Sequence, residues 1–174
     1  MKLSRFFLAG TLTAMLLTAC DNDDDDDAVN AQDQTFTVQA SMSNRAEIDG
    51  GTIASTRGNN AFVVSYGQRM VTEHTTAQTQ LASIVSSIGL NVNLNDSLSV
   101  AHKALRDSLL SRSGRAFDTV YIKSQIRAHQ MTLANFDAEI NGGSNTRVRG
   151  YATDNRHNIQ MHLDSANAIY NRIK

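Results

Sequence analysis

The feature that most constrains the fold of this chain is a helical spacing of apolar residues that no proline interrupts. Proline breaks the interior of a helix because it lacks an N–H group and clashes with the preceding turn. Apolar residues recur three and four positions apart through the region 34–174, as they do in amphipathic helices. No alternating pattern typical of a strand competes with this spacing. The sequence therefore predicts one all-α domain over 34–174, long enough to bury a core.

Caps and glycines divide this region into five predicted helices. Their predicted bounds are 35–56, 61–88, 96–114, 115–140 and 146–173. Asp96 is the expected N-cap of the short third helix, because its carboxylate can accept from the free amides of the first turn. Four long helices of about 30–40 Å, joined by short connections, predict an antiparallel four-helix bundle with one additional short helix.

Residues 1–19 have the features of a lipoprotein signal peptide. An apolar stretch over 6–17 follows a basic start and is shorter than the roughly 20 residues that span a bilayer. It ends in Leu17-Thr18-Ala19-Cys20, which resembles the lipobox cleaved by lipoprotein signal peptidase. We therefore expect Cys20 to be the lipid-attachment site. An ordinary signal peptide with an unrelated cysteine is the alternative.

Residues 20–33 are predicted to form a disordered acidic tether, because 21–27 contain only aspartate and asparagine and cannot bury apolar surface. The run after Cys20 also resembles the acidic export signal of surface lipoproteins in the Bacteroidota; a plain solvated spacer is the alternative. We expect a protein anchored by lipid in the cell envelope, at the outer membrane, and exposed at the surface if the run is an export signal. In bacteria that sort lipoproteins by the residue after the cysteine, Asp21 instead favours retention at the inner membrane. Since Cys20 is the only cysteine, the mature domain has no thiol for a disulfide or a thiolate metal site.

The charge pattern and the absent motifs exclude several functions. Seven acidic residues lie within 21–33, which leaves the domain mildly basic through scattered arginines. Without a basic block or an aromatic platform, no nucleic-acid partner is indicated. The sequence has no Gly-x-Ser-x-Gly elbow, phosphate-binding glycine loop or His-Glu-x-x-His pair. We therefore expect a binding or stress-related module rather than an enzyme. Its expected partners are the membrane, through the lipid, and an envelope protein or cell-wall component.

Four polar residues lie on or beside the inward stripes of the long helices, each near the middle of its helix. They are Glu47, His74, His129 and His162. The midpoints of helices fall at one level in an up-down bundle, so these side chains are expected to converge in the core. Glu73 is an additional candidate. Asp118 shares a face with His129 but lies about 16 Å along the helix, and therefore belongs to another layer.

Two interpretations of this cluster stay open. Three imidazoles and a carboxylate can ligate a divalent transition metal such as zinc, iron, manganese or copper, which would make the protein a metal-binding redox protein. The same side chains can instead form a buried hydrogen-bond network that fixes helix register. A di-iron oxidase is disfavoured, because Val71, Ile126 and Ile159 occupy the positions where Glu-x-x-His pairs require glutamate.

Four segments resemble the family called domain of unknown function 4142. They are Ala46-Glu47-Ile48-Asp49-Gly50-Gly51-Thr52-Ile53-Ala54, Met70-Val71-Thr72-Glu73-His74-Thr75, Phe117-Asp118-Thr119-Val120-Tyr121-Ile122 with the downstream His129, and Ile159-Gln160-Met161-His162-Leu163-Asp164-Ser165-Ala166. The resemblance spans about 34–170 and implies a ferritin-like helical bundle of the bacterial envelope with no established general activity. Seven polar residues of this chain match polar positions of the family pattern, namely Glu47, Glu73, His74, Asp118, Tyr121, His129 and His162. The chain departs from the family pattern at Glu73, usually aspartate, and at His157, usually proline.

Overall fold

A computed structural model describes residues 28–94 and 99–174, which form five α-helices and contain no strand. The helices are α1 (Ala31–Arg57), α2 (Ala61–Ser87), α3 (Val100–Leu110), α4 (Gly114–Gly142) and α5 (Thr146–Ile173). The four long helices form an antiparallel bundle in which α1 packs on α2 and α4, and α5 packs on α4 and α2. The predicted fold class, a four-helix bundle with one additional short helix, is confirmed.

The N-terminal predictions concern residues before this bundle. The signal peptide, Cys20 and the acidic run over 21–27 lie outside the described residues. Within the described ranges, no helix has the length and apolar character needed to cross a bilayer.

Helix α1 begins at Ala31, earlier than predicted, because a capping box starts it there. The Asn30 side chain accepts from the amide of Asp33, and the Asp33 carboxylate accepts from the amide of Asn30 at 2.7 Å. Asp33 is fully buried and also accepts from the amides of Ser144 and Asn145, which precede α5. Residues 31–33 therefore belong to the bundle rather than to the tether, and Asp33 joins the start of α1 to the α4–α5 connection.

Helix α3 is shorter than predicted and lies across α1 and α4. Ser99 is its N-cap and accepts from the amide of His102 at 3.1 Å. Asp96, the predicted cap, lies outside the described residues. Leu109 is the one fully buried residue of α3, and Nε2 of His102 lies 3.0 Å from Oδ2 of Asp49 on α1. These contacts attach α3 to the side of the bundle.

The core consists of two apolar clusters with a polar layer between them. On α2, Met70 belongs to one cluster and Ala77 to the other, and His74 lies between the two. On α4, Ile122 and Leu133 flank a buried histidine in the same way. Burying polar side chains at this level is unfavourable unless each finds a partner. The polar layer is therefore the place where the bundle departs from simple apolar packing.

Two glycines bring α1 and α2 unusually close beside this layer. A Cβ atom on Gly51 would lie 2.7 Å from the carbonyl oxygen of Gly67, and a Cβ on Gly67 would lie 2.8 Å from the carbonyl oxygen of Gly51. Only glycine permits this backbone approach. The close crossing sets the spacing between the polar residues of α1 and those of α2.

Candidate metal centre

Three of the four predicted ligands meet at one place in the core. His74 on α2, His129 on α4 and His162 on α5 are all buried. One ring nitrogen from each lies within 4.8 Å of the corresponding nitrogens of the other two. The ring centroids are separated by 5.2 to 5.9 Å. We call these three residues the histidine triad; they lie at one level, as the helix midpoints predict.

Each imidazole of the histidine triad has an oxygen acceptor at its outer ring nitrogen. The pairs are His74 Nδ1 with Asn44 Oδ1 at 2.9 Å, His129 Nδ1 with the Gln125 carbonyl at 2.9 Å, and His162 Nε2 with Glu73 Oε2 at 2.5 Å. A neutral imidazole carries one N–H donor and one lone pair. Since an oxygen accepts at each outer nitrogen, the N–H groups point outward and the lone pairs point inward.

The side-chain amide of Asn44 is held in the orientation that this assignment requires. Its Nδ2 donates to the hydroxyl of Tyr151 at 3.1 Å and to Oε1 of Gln78 at 3.3 Å. Gln78 in turn donates to Oγ of Ser41. With Nδ2 committed to these acceptors, Oδ1 of Asn44 faces His74 and accepts its N–H group. Three helices therefore cooperate to fix one imidazole tautomer.

The inner nitrogens face one another without a donor among them. Nε2 of His129 and Nδ1 of His162 are 3.3 Å apart. Nε2 of His74 is buried and has no hydrogen-bond partner among the described residues. Because both rings donate their N–H groups outward, the 3.3 Å contact brings two lone pairs together. That arrangement is unfavourable unless a proton or a metal ion lies between them.

Burial keeps two imidazoles of the histidine triad, those of His74 and His162, neutral. Burial lowers the pKa of His74 well below its ordinary value of 6.5, and neighbouring His129 and His162 lower it further. Burial, followed by the influence of His129 and Arg69, lowers the pKa of His162 to about 3. Desolvation disfavours the charged form of a histidine, and the neutral form is the one that ligates metals.

Glu47, the fourth predicted ligand, lies beside the histidine triad rather than within it. Its side chain is buried, and Oε1 is 4.0 Å from Nδ1 of His129, the ring nitrogen that faces the Gln125 carbonyl. Its Oε2 has no hydrogen-bond partner within the described part of the chain. The carboxylate is therefore a negative charge at the outer edge of His129, and the inner nitrogens come from three histidines alone.

Glu73, the additional candidate, is an outer partner of the histidine triad. One carboxylate oxygen accepts from Nε2 of His162, and the other lies 3.0 Å from Nε of Arg69. Its side chain is 39% exposed, so it connects the buried imidazoles to the protein surface. A carboxylate in this position holds the ring of a ligating histidine and increases its basicity.

The remaining polar positions do not reach the histidine triad. Asp118 is buried, and its carboxylate accepts from the amides of Asn59 and Asn60 at 2.9 Å each, before α2. It lies in another layer, as predicted from its distance along α4. His157 is exposed on α5.

Sequence reasoning missed Asn44 and Gln125 as partners of the histidines. Asn44 lies four residues after Ala40 and three before Glu47 on the buried face of α1, a spacing that places it inside the bundle. That inward position was a usable signal. The Gln125 contact uses a backbone carbonyl one turn before His129, which side-chain patterns do not reveal.

Comparisons with known proteins identify the family and support the fold. The chain matches the family described as "Domain of unknown function (DUF4142)" over residues 18–169. The comparison with curated proteins finds no significant match. Among solved structures, the chain is similar to the crystal structure of a DUF305 fragment from Deinococcus radiodurans, with a TM-score of 0.73 and 13% identity. The similarity covers 83% of this chain and 98% of that one, and it shows the helical fold alone.

Proposed function

This chain belongs to the domain of unknown function 4142 family, and we propose that it is a metal-binding module that holds one transition-metal ion at its histidine triad. One observation carries the proposal: three buried imidazoles donate their N–H groups outward to oxygen acceptors and direct lone pairs toward one point. Histidines that ligate metals are held in this way, with the second ring nitrogen bonded to a carboxylate or a carbonyl.

The spacing of the inner nitrogens fits such an ion. Metal–nitrogen distances of about 2.0–2.1 Å in a tetrahedral site separate two ligand nitrogens by about 3.4 Å. The inner nitrogens of His129 and His162 are 3.3 Å apart. The other two separations are at most 4.8 Å, a distance that a change in side-chain torsion can reduce. The site therefore needs little rearrangement to bind a metal.

A purely structural network explains the outer nitrogens but not the inner ones. In a satisfied network every buried acceptor receives a donor. The outer N–H groups have their acceptors, whereas Nε2 of His74 receives no donor from any described residue. If both rings are neutral and donate outward, the contact between His129 and His162 also has no proton to share. A cation at the centre resolves both features together.

The donor set favours zinc, copper or iron over manganese. Neutral imidazoles suit the first three ions, whereas manganese prefers carboxylate and water oxygens. Three protein ligands leave a fourth position open, which is the arrangement of catalytic rather than structural zinc sites. The carboxylates of Glu47 and Glu73 lie at the outer edges of the imidazoles and compensate the charge of the bound ion. We propose a mononuclear site, because no carboxylate joins the three nitrogens within the described residues.

The proposal places this module in the cell envelope. The sequence Leu17-Thr18-Ala19-Cys20 supports lipid attachment at Cys20, and the acidic run after it supports export toward the outer membrane. Since α1 begins at Ala31, the segment between the lipid and the bundle is short. A metal-binding module corresponds to the alternative that the sequence leaves open beside a binding or stress-related module.

Metal uptake by the full chain tests the proposal. The full chain, purified in detergent and stripped with a chelator, is loaded with zinc, copper or iron and assayed by elemental analysis. We expect one firmly bound ion per chain, which His129→Ala and His162→Ala remove. The full chain is preferable to a truncation at residue 34, which would delete Asn30 and Asp33 of the capping box.

The matched control for this experiment is His157→Ala, which removes an exposed histidine from the same helix as His162. This variant is expected to bind the metal as the wild type does. All variants keep the acidic run over 21–27, so any metal bound by that run contributes equally to the metal content of every variant. Circular dichroism establishes that each variant is folded, and His74→Ala provides a further test on another helix. Equal metal content in the wild type and in all three triad variants would contradict the proposal.

A further inference from the structure

A small cavity of about 60 Å³ lies beneath α3, between α1 and α4. Its lining includes Glu47 from α1, Tyr121 and Gln125 from α4, and His102 and Leu109 from α3. Two of these residues also approach the outer edge of His129, through the carbonyl of Gln125 and the carboxylate of Glu47. The cavity is therefore a neighbour of the histidine triad and is separated from the inner nitrogens by the ring of His129.

Three residues of the cavity lining each have a buried oxygen atom without a hydrogen-bond partner among residues 28–94 and 99–174. The atoms are Oε2 of Glu47, the hydroxyl of Tyr121 and Oε1 of Gln125. The three residues are at most 4% exposed, so bulk water does not satisfy these atoms. A buried polar group without a partner is unfavourable, and native proteins rarely leave one unexplained. Three such atoms around one cavity indicate that the cavity has an occupant.

We propose that this cavity binds a small hard cation, such as Ca²⁺, Mg²⁺ or Na⁺, at a site distinct from the histidine triad. A carboxylate oxygen and an amide oxygen accept hydrogen bonds or donate electron pairs to a cation, so the occupant must supply hydrogen-bond donors or a positive charge. An apolar molecule would leave these oxygens unsatisfied, and an anion would be repelled by Glu47. Oxygen ligands suit hard cations, in contrast to the nitrogen donors of the histidine triad.

Charge favours a cation over water alone. Among the residues that line the cavity, the one basic side chain is His102, and its Nε2 lies 3.0 Å from Oδ2 of Asp49. Water would supply hydrogen bonds but no positive charge beside Oε2 of Glu47, the carboxylate oxygen that has no partner among the described residues. A volume of about 60 Å³ admits an ion together with a few of its waters, since one water requires about 10–15 Å³. The ion can therefore complete its coordination inside the cavity.

Thermal unfolding of the full chain tests this site. The unfolding midpoint is measured in CaCl₂, MgCl₂ or NaCl and compared with choline chloride at the same ionic strength. We expect the effective cation to raise the midpoint by about 3–6 °C at ten times its Kd. Glu47→Gln should abolish this rise and should unfold at a higher temperature than the wild type in choline chloride, because the amide has no charge to neutralise.

Three further variants make the test specific. Tyr121→Phe removes one of the oxygen ligands and should reduce the rise, including in the case that Glu47→Gln does not fold. Asp154→Asn removes an exposed carboxylate outside the cavity and should retain the full rise. His162→Ala should also retain it, which separates this proposal from metal binding at the histidine triad.

Two results would overturn the proposal. An equal rise in the wild type, Glu47→Gln and Tyr121→Phe would show that the cations act elsewhere, for example on the acidic run. An unfolding midpoint that is the same in choline chloride and in all three metal salts would show that the cavity holds ordered water only.

Discussion

The three imidazoles of the histidine triad differ in the group that accepts their outer N–H, and this difference determines how each responds to substitution. His129 donates to a backbone carbonyl, which no side-chain change removes. His74 donates to an amide oxygen that other side chains hold in place. His162 donates to the carboxylate of Glu73, the half-exposed partner. Glu73 is therefore the outer position where a single substitution tests orientation without disturbing the core.

We predict that Glu73→Gln weakens metal binding by about 10–100-fold, the usual effect of losing an outer partner of a ligating histidine. The glutamine retains the size of the side chain but loses the charge that increases the basicity of His162 and compensates the ion. Competition with a chelator measures the affinity. Asp164→Asn, on the exposed face of α5, is the control and should leave the affinity unchanged. An unchanged affinity in Glu73→Gln would mean that Glu73 does not support the site.

Helical geometry alone predicts which face of a helix and which level of the bundle each residue of the candidate site occupies. His74, His129 and His162 occupy the middle of their helices on or beside inward stripes, and the structure brings them together. The place of Glu47 could not be predicted, because periodicity gives the face of a helix but not the torsions of a long side chain. Those torsions decide whether its carboxylate meets the inner or the outer nitrogen of His129.

At the scale of elements, a pair of buried carboxyl groups joins α1 to α4 at one end of the bundle. Glu139 near the end of α4 is fully buried, as is Asp33 at the start of α1. Burial and the hydrogen bond to Asp33 raise the pKa of Glu139 to about 7, whereas Gln32 and Arg149 lower it. The folded protein therefore binds a proton at Glu139 between about pH 4.5 and 7, where the unfolded chain has released it.

This proton uptake predicts the pH dependence of stability. The folded state binds more protons than the unfolded state in this window. The contribution of Glu139 to the free energy of unfolding therefore falls as pH rises, by about 1–3 kcal/mol, and is lost above pH 7. His74 and His162 act in the opposite direction, because their lowered pKa values favour the unfolded state at low pH. We therefore expect Glu139→Gln to abolish the decrease in the free energy of unfolding between pH 4.5 and 7 that Glu139 causes. The pH dependence that comes from His74 and His162 should remain.

Urea unfolding of the wild type and Glu139→Gln at pH 5 to 8 measures this difference. The difference between the two curves isolates Glu139, since the histidines are common to both proteins. Asp154→Asn, an exposed carboxylate on α5, is the control and should follow the wild-type curve. Parallel curves for the wild type and Glu139→Gln would contradict the prediction.

The bounds of the elements show where sequence patterns end and tertiary contacts begin. Helices α2 and α5 begin at the predicted residues, because an asparagine N-cap precedes each of them. α1 starts earlier because Asp33 accepts amides from a connection more than a hundred residues away. Next to an acidic run, a single aspartate carries no local sign that it is buried. Its role depends on the α4–α5 connection, which only the folded chain brings beside it.

At the scale of the whole molecule, the start of α1 sets the distance between the proposed lipid anchor at Cys20 and the proposed metal site. Residues 21–30 lie between Cys20 and α1, and ten extended residues reach at most about 36 Å. The level of Glu47 is sixteen residues further along α1, which adds about 24 Å. The proposed metal site is therefore at most about 60 Å from the membrane surface. At that reach, a bundle anchored through Cys20 would be able to bind ions from the surrounding solution.

This arrangement depends on Cys20, and lipid labelling tests it. In a host that processes lipoproteins, we expect the wild type to incorporate labelled palmitate and to fractionate with membranes. Cys20→Ala should do neither, because the thiol that receives the lipid is gone and no described helix can span the bilayer. His157→Ala should behave as the wild type does. Cys20→Ala should still bind the transition metal, since the histidine triad uses no sulfur. Its recovery in the membrane fraction would mean that another contact holds the bundle there.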